Sequence, residues 1–301
     1  MSCAEIVLVS NDKNIFPCSY ESMKNICHKE DRVIYVLDFC LDYFEKEEPI
    51  GDLGYKKDNI INIDHHFPVN KFNKCISTTN LVIEYVKKYT INKNSIIVIN
   101  HTDCDSILSA GILSGRLAPL DIFAEAAISE DHTGQESLVG DLLDELQQYR
   151  DPELSFRNLA LLMNNKPLEK VANDGLYKRS VDRKIVGEIA SEFKYFQNKV
   201  AYLEIGDGGR KFSGVLLPAY LKKAAIIMLF IHKQNTTKVI TRLGMSAPDG
   251  LDLRDIMQKV DPNWGGRWNA GGNERRGGTN IPVMEYLEKI NNALVTKLGK
   301  K

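Results

Sequence analysis

The chain has no excess of charge of either sign, no apolar run of membrane-spanning length and no paired cysteines. Its 301 residues carry a formal net charge of −1, so no global basic field exists to grip a long nucleic acid, although a local basic patch is compatible with that balance. The apolar run Ala224 to Ile231 is much too short to cross a bilayer. Met1 is followed by Ser2-Cys3-Ala4-Glu5, with neither a basic n-region nor a long apolar h-region, so no signal peptide is expected. The six cysteines (Cys3, Cys18, Cys27, Cys40, Cys75, Cys104) form no Cys-x-x-Cys pair and are scattered, mostly near apolar segments. That pattern fits reduced thiols in a cytoplasmic protein better than a disulfide framework. No repeat or low-complexity segment is visible. Hydrophobic content of 43% and charged content of 26% are ordinary for a globular protein, and the length makes two domains the starting expectation.

What is present is a set of polar clusters placed after short apolar runs. Glu5 to Val9, Arg32 to Leu37, Ile60 to Ile63 and Ser95 to Ile99 read as buried strands. The last three deliver, in turn, Asp38, then Asp64-His65-His66, then His101-Thr102-Asp103-Cys104-Asp105-Ser106. Asp12 and Asn14 belong to the loop after the first strand. Tyr20 to His28 reads as a short helix. A second runs from about Thr79 to Tyr89, with Leu81, Val82, Tyr85 and Val86 on its apolar face and the hydroxyls of Ser77 to Thr79 as its cap. A third starts near Asp105 or Ser106, either of which suits its cap. Phe123 to Ile128 is a further buried run, leading to Glu130-Asp131-His132-Thr133-Gly134. This alternation predicts a mostly parallel, doubly wound α/β sheet over residues 1–150. In such sheets ligands bind at the carboxyl ends of the strands, where the acids and histidines collect.

Residues 135–199 read as mainly helical, with Asp151-Pro152 breaking the first helix, and 151–199 has the character of a helical connector. A smaller α/β domain is predicted over 200–301. It has strands at 200–205, 224–231 and 237–243, the last two adjacent, helices at 213–221 and 253–260, and a terminal helix from Pro282 to Leu298. Between these lies a segment rich in paired glycines, Trp264-Gly265-Gly266-Arg267-Trp268-Asn269-Ala270-Gly271-Gly272 with Arg275 and Arg276 beyond. A flexible linker would carry serine and glycine, not two tryptophans and three arginines. Glycines let backbone N–H groups approach an anion, and arginine forks bind phosphate. Trp264 and Trp268 suit a base stack or a packed core, and the core is favoured. The arginines suit a phosphate clamp or a solvated surface.

An aspartate and two histidines at a strand end can hold a divalent metal and reach a phosphate. His101, Asp103 and Asp105, at i, i+2 and i+4 beyond a strand, can converge on a small volume. Asp38, His65 and Asp131 would complete a cage for two ions. Mixed imidazole and carboxylate donors favour Mn²⁺, Fe²⁺, Co²⁺ or Zn²⁺ over purely oxygen-loving Mg²⁺. Two such ions about 4 Å apart suit in-line displacement at phosphorus. Either motif alone is matched by a simpler reading, in which the histidines merely pair with nearby carboxylates. Two at successive strand ends argue for a composite site.

These residues resemble the DHH phosphoesterase superfamily, named for the Asp64-His65-His66 type of motif. The likeness extends over most of the chain, with Gly-Gly-Arg-Trp-Asn-Ala-Gly-Gly similar to the substrate loop of the DHH-associated C-terminal domain. The resemblance implies a two-domain phosphoesterase with two Mn²⁺ ions (Mg²⁺ or Co²⁺ as substitutes) and an active site in the cleft between domains. Matched by motif, it implies Asp38, His65, His101, Asp103, Asp105 and Asp131 as metal ligands, with Asp38 or Asp105 bridging. Asp64 would orient its neighbours and His66 would face the substrate phosphate. Asp38, His65, His66 and Asp103 are the residues expected to carry catalysis. Gly265, Gly266, Arg267, Asn269, Gly271, Arg275 and Arg276, with His66, are those expected to bind substrate. Two features depart from the family pattern. The His-x-Asp-x-Asp motif follows the other two instead of preceding them, and Arg267 stands where the family loop commonly has histidine.

The function expected is metal-dependent hydrolysis of a small nucleotide: a short oligonucleotide, a cyclic dinucleotide or a 3′,5′-bisphosphonucleoside. Near-zero net charge argues against a stable long nucleic-acid partner. A single-strand exonuclease is the enzymatic rival and would need a basic channel. Pyrophosphate hydrolysis would leave the tryptophan- and arginine-bearing segment no base to read. A nucleotide sensor without turnover is the rival from another class. No membrane partner is expected, and a homodimer is compatible with the sequence.

Overall fold

The computed structural model describes residues 4–9, 19–27, 32–67, 76–92, 94–197 and 199–298. The loop bearing Asp12 and Asn14, with Cys3, Cys18 and Cys75, lies outside them. The chain divides into two compact units, Met1–Asp131 with Glu136–Arg179, and His132–Gln135 with Ser180–Lys301. Among the described residues no helix is long and apolar enough to cross a membrane.

In chain order the first unit contains β1 (Glu5–Leu8), α1 (Tyr20–Cys27), β2 (Ile34–Leu37), β3 (Glu48–Pro49), β4 (Tyr55–Lys57), β5 (Ile60–Ile63), α2 (Thr78–Lys88), β6 (Ile96–Ile99), α3 (Cys104–Leu113), α4 (Asp121–Ile128), α5 (Leu138–Leu146), α6 (Pro152–Met163) and the start of α7 (Lys170–Ala190). Its sheet has the order β1-β6-β2-β5-β4-β3. The first four strands are parallel, and β4 and β3 add an antiparallel edge. The central strands β6, β2 and β5 are apolar runs, interrupted only by Asn62, because both faces are covered. Tyr35, Leu37, Ile61, Ile63, Ile97 and Ile99 face a core shared with α2 to α6. Their alternates Ile34, Val36, Ile60, Ile96 and Val98 pack with Met23 of α1 and with Phe39, Leu41, Phe44 and Phe67. The predicted doubly wound α/β unit is therefore present. The buried run Phe123 to Ile128 belongs to helix α4, which continues directly into a π turn, Ser129–Thr133.

The second unit carries β7 (Lys194–Phe196), β8 (Val200–Gly206), α8 (Leu217–Tyr220), β9 (Ile226–His232), β10 (Thr237–Leu243), α9 (Leu253–Val260), β11 (Gly265–Gly266), β12 (Ala270–Gly272) and α10 (Val283–Leu298). Its sheet order is β11-β12-β10-β9-β8-β7, with β8 and β9 parallel and the other pairs antiparallel. One face packs on α9 and α10 through Ile256, Met257, Tyr286 and Ile290. The other packs on Val186 and Ile189 of α7 and on Leu216 and Leu217. The predicted pairing of the strands at 224–231 and 237–243 is the β9–β10 ladder. The glycine-rich segment, read from sequence as a loop, supplies two further strands.

Candidate active site

β6, β2 and β5 are neighbours and run the same way, so the residues after Ile99, Leu37 and Ile63 emerge at one end of one sheet. Asp38, Asp64, His65 and Asp105 are almost wholly buried there.

Asp38 leaves β2 with a left-handed backbone, φ 64°, a region that aspartate tolerates better than most residues. Asn62, the lone polar side chain of β5, pins this turn. It accepts the Leu41 N–H at 2.9 Å and donates to the Val36 and Phe39 carbonyls at 3.0 and 2.9 Å. The Asp38 carboxylate then accepts hydroxyl hydrogen bonds from Thr78 at 3.1 Å and Ser106 at 2.8 Å. These hydroxyls come from the first turns of α2 and α3.

His65 lies among three acids. Its Nδ1 is 3.4 Å from Asp105 and 3.7 Å from Asp38, and its Nε2 is 3.7 Å from Asp131 of the π turn. The Thr78 hydroxyl lies 3.1 Å from the same Nδ1. His66 meets Asp64 at 2.7 Å through Nδ1, and the two imidazole rings lie 3.7 Å apart. The second Asp64 oxygen accepts the Cys40 thiol at 2.8 Å.

Neither Asp105 nor Ser106, the two caps the sequence offered, caps helix α3. α3 begins one residue earlier, at Cys104, and Asp103 is its cap, accepting the Ser106 N–H at 3.0 Å. Asp105 is thereby turned toward α2, where it accepts the N–H groups of Thr78 and Thr79 at 2.7 and 2.6 Å and the Thr79 hydroxyl at 2.6 Å. Helix N-termini stabilise such an anion. His101, at the end of β6, is exposed.

The cluster separates its carboxylates electrostatically. Burial, reinforced by the charges of Asp105, Asp103, Asp131 and Asp64, pushes the Asp38 carboxyl well above the usual range. Burial opposes ionisation of Asp64 too, but His66, His65 and the Cys40 thiol together hold it at about 2. Asp105 is desolvated as well, and its contacts with His65 and Thr79 still bring it below the usual range. Burial disfavours the charged form of His65, yet Asp105, Asp131 and Asp64 raise it overall.

One donor atom from each of Asp38, Asp64, His65 and His66 lies within 4.8 Å of the others. The acids in contact here, Asp38, Asp64, Asp105 and Asp131, outnumber the two imidazoles that meet them. A mixed oxygen and nitrogen donor set with surplus negative charge, including a carboxyl that burial and its neighbours drive toward protonation, fits a divalent metal cation.

In the second unit Gly265, Gly266, Arg267, Asn269 and Gly271 lie in a tight hairpin, with Arg275 and Arg276 in a short turn just beyond it. Gly265 pairs with Gly272 and Gly266 with Gly271. A Cβ on Gly271 would lie 2.4 Å from the Trp264 ring, and one on Gly266 would lie 2.4 Å from the Ala270 carbonyl. Close packing of backbone and indole thus requires these glycines. Trp264 is core, donating its indole N–H to Thr241 at 2.8 Å. Trp268 is half-buried against that core, with its ring 5.2 Å from His132. Asn269 is buried and meets His132 at 2.7 Å. Arg267, Arg275 and Arg276 are exposed, and Arg276 leans on the Pro262 and Trp264 carbonyls at 3.4 Å.

Sequence reasoning missed Asn62 and the thiol contact of Cys40. A polar residue inside Ile-Ile-Asn-Ile was the available signal for Asn62. Nothing in the local sequence marks Cys40.

No known protein-family signature and no curated protein matches this sequence. Among solved structures the chain is similar to a pGpG-specific phosphodiesterase, PggH, from Vibrio cholerae, with 14% identity over 72% of this chain and 87% of that one and a TM-score of 0.43. It is also similar to an exopolyphosphatase-related protein from Bacteroides fragilis, with 15% identity over 94% of this chain and 78% of that one and a TM-score of 0.40.

Proposed function

We propose that the chain is a metal-dependent phosphoesterase acting on small nucleotides: short oligonucleotides, cyclic dinucleotides or 3′,5′-bisphosphonucleosides. The observation that carries this reading is the convergence of Asp38, Asp64, His65 and His66 at one end of two adjacent parallel strands, β2 and β5. Asp38, His65 and Asp131 are the first candidates to hold divalent ions, with Asp103, Asp105 and His101 as the remaining donors from the end of β6. The mixed donor set suits Mn²⁺, Fe²⁺, Co²⁺ or Zn²⁺, and the resemblance to the DHH phosphoesterases makes Mn²⁺ the ion to test first. When bound, a pair of such ions makes water a nucleophile at neutral pH and stabilises charge on the attacking and leaving oxygens. The chain's own contribution is orientation. Thr78 and Ser106 fix the Asp38 carboxylate, Thr78 and Asp105 fix His65, and Asp64, itself held by Cys40, fixes His66 toward the substrate phosphate. Arg267 and Arg275 of the second unit are the cations we assign to the substrate's other phosphate.

The test is Mn²⁺-dependent hydrolysis of a panel: a 5′-phosphorylated dinucleotide, a cyclic dinucleotide, a bisphosphonucleoside, a longer single strand and pyrophosphate. It is run with wild type, Asp38→Ala and His65→Ala, and with EDTA. Turnover of a small member, abolished by EDTA and by both substitutions, is the expected result. Bound metal without turnover would turn the reading toward a nucleotide sensor. Absence of metal binding would end it.

A further inference from the structure

Arg179 of α7 is buried, 3% exposed, and nothing in the proposed chemistry uses it. A buried guanidinium must be matched by partners, because its desolvation is otherwise prohibitive. Here each of its nitrogens goes to a different acid. Nη2 meets Glu130, Nε meets Asp141 at 3.2 Å and Nη1 meets Asp144 at 2.9 Å. Asp141 and Asp144 lie on α5. Glu130 lies in the π turn, one residue before Asp131. α5 is also shaped around Glu130, since a Cβ on Gly140 would stand 2.9 Å from the Glu130 Oε1 and 3.2 Å from the Ala126 carbonyl. The π turn is an irregular segment of the sort that gathers at functional sites, and it is clamped by an arginine fork on one side and relieved by a glycine on the other.

We propose that Arg179 is a positioning residue. Through Glu130 it locks the π turn so that the Asp131 carboxylate is held toward His65 Nε2, 3.7 Å away. The proposal rests on the phosphoesterase reading for its consequence in catalysis, but its geometry can be tested without turnover. Partners that orient metal ligands typically change affinity about 10- to 100-fold when removed.

The variants are Arg179→Lys, which keeps the charge and loses the fork, Glu130→Gln, which keeps the shape and weakens the pair, and Gly140→Ala, which crowds Glu130 from the other side. Leu159→Val, a core change in the same unit, controls for simple loss of stability. Two quantities are read well below each melting temperature: the nitrogen-15 shift of His65 Nε2 in metal-free protein, and the dissociation constant for Mn²⁺. The expected result is a displaced His65 signal and Mn²⁺ binding weakened by about tenfold or more in all three variants, with neither change in Leu159→Val. If Arg179→Lys does not fold, Glu130→Gln and Gly140→Ala decide the matter. Variants that lose stability while keeping the wild-type His65 signal and Mn²⁺ affinity within about twofold would overturn the proposal. If wild type binds no Mn²⁺, the phosphoesterase reading fails and the His65 signal alone still decides whether Arg179 positions Asp131.

Discussion

Asn62 holds Asp38. Its wholly buried carboxamide spans the turn after β2, taking the Leu41 N–H and giving both its own N–H groups to the Val36 and Phe39 carbonyls. The left-handed backbone of Asp38 is kept by these three bonds, and through it the carboxylate stays on Thr78 and Ser106. Asn62→Ala removes all three and strands their partners in the core, so a loss of about 2–4 kcal/mol is expected in urea unfolding. Mn²⁺ binding should weaken with it, because the carboxylate loses its fixed bearing. A loss below about 1 kcal/mol with unchanged Mn²⁺ binding would mean that the turn is held by other contacts.

Asp38 itself should make the metal-free protein less stable as pH rises. Its folded pKa is raised by burial and by the surrounding acids, so the folded state retains a proton that the unfolded chain releases near pH ~4. The stability tied to that proton is fully present below the unfolded value and is lost as pH rises through the folded one. In EDTA, Asp38→Asn should therefore gain on wild type steadily as pH rises above ~4, and asparagine tolerates the same backbone conformation. Adding Mn²⁺ should reverse the order, stabilising wild type and leaving the variant unmoved. A difference between the two proteins that does not vary with pH in EDTA would show that Asp38 is not under this electrostatic pressure.

The parallel strands of the first unit were legible because both of their faces are apolar. Runs such as Ile96 to Ile99 leave no other reading once acids follow them. The clustering of Asp38 with His65 was legible in kind, as residues at strand ends, but their adjacency depends on β2 lying between β6 and β5, and pairing order is a tertiary property. Asp105 shows where local reasoning stops. Its position at the start of an apolar helix predicts a cap for that helix, whereas the fold turns it onto the N-terminus of α2, whose residues lie more than twenty positions away. The strands β11 and β12 were illegible for a different reason. Four of their five residues are glycines, which have no strand preference of their own, and the pairing comes from the Trp264 ring and the β10 edge. Arg179 was silent because an arginine within a polar helix normally faces solvent.

Those glycines also separate two meanings of the glycine-rich segment. If their purpose is packing, Gly271→Ala should damage the second unit itself, since the added carbon meets the Trp264 ring at 2.4 Å and the Gly265 carbonyl at 2.6 Å. Overpacking of that sort costs about 1–3 kcal/mol and should appear in unfolding of the full chain with or without nucleotide. Arg267 is exposed at the hairpin turn, where its backbone N–H bonds to the Ala270 carbonyl at 2.7 Å, a bond that Arg267→Ala keeps. Its effect should fall on substrate instead. Losing one charged hydrogen bond to a phosphate corresponds to about 1.5–3 kcal/mol, or a rise in KM of roughly tenfold or more, with kcat little changed, for a substrate bearing a second phosphate. For a substrate with a single phosphate group the same variant should behave as wild type. A KM unaffected on both would leave the hairpin a structural element and remove Arg267 from the proposed substrate contacts, while the metal cluster of the first unit would stand or fall by its own tests.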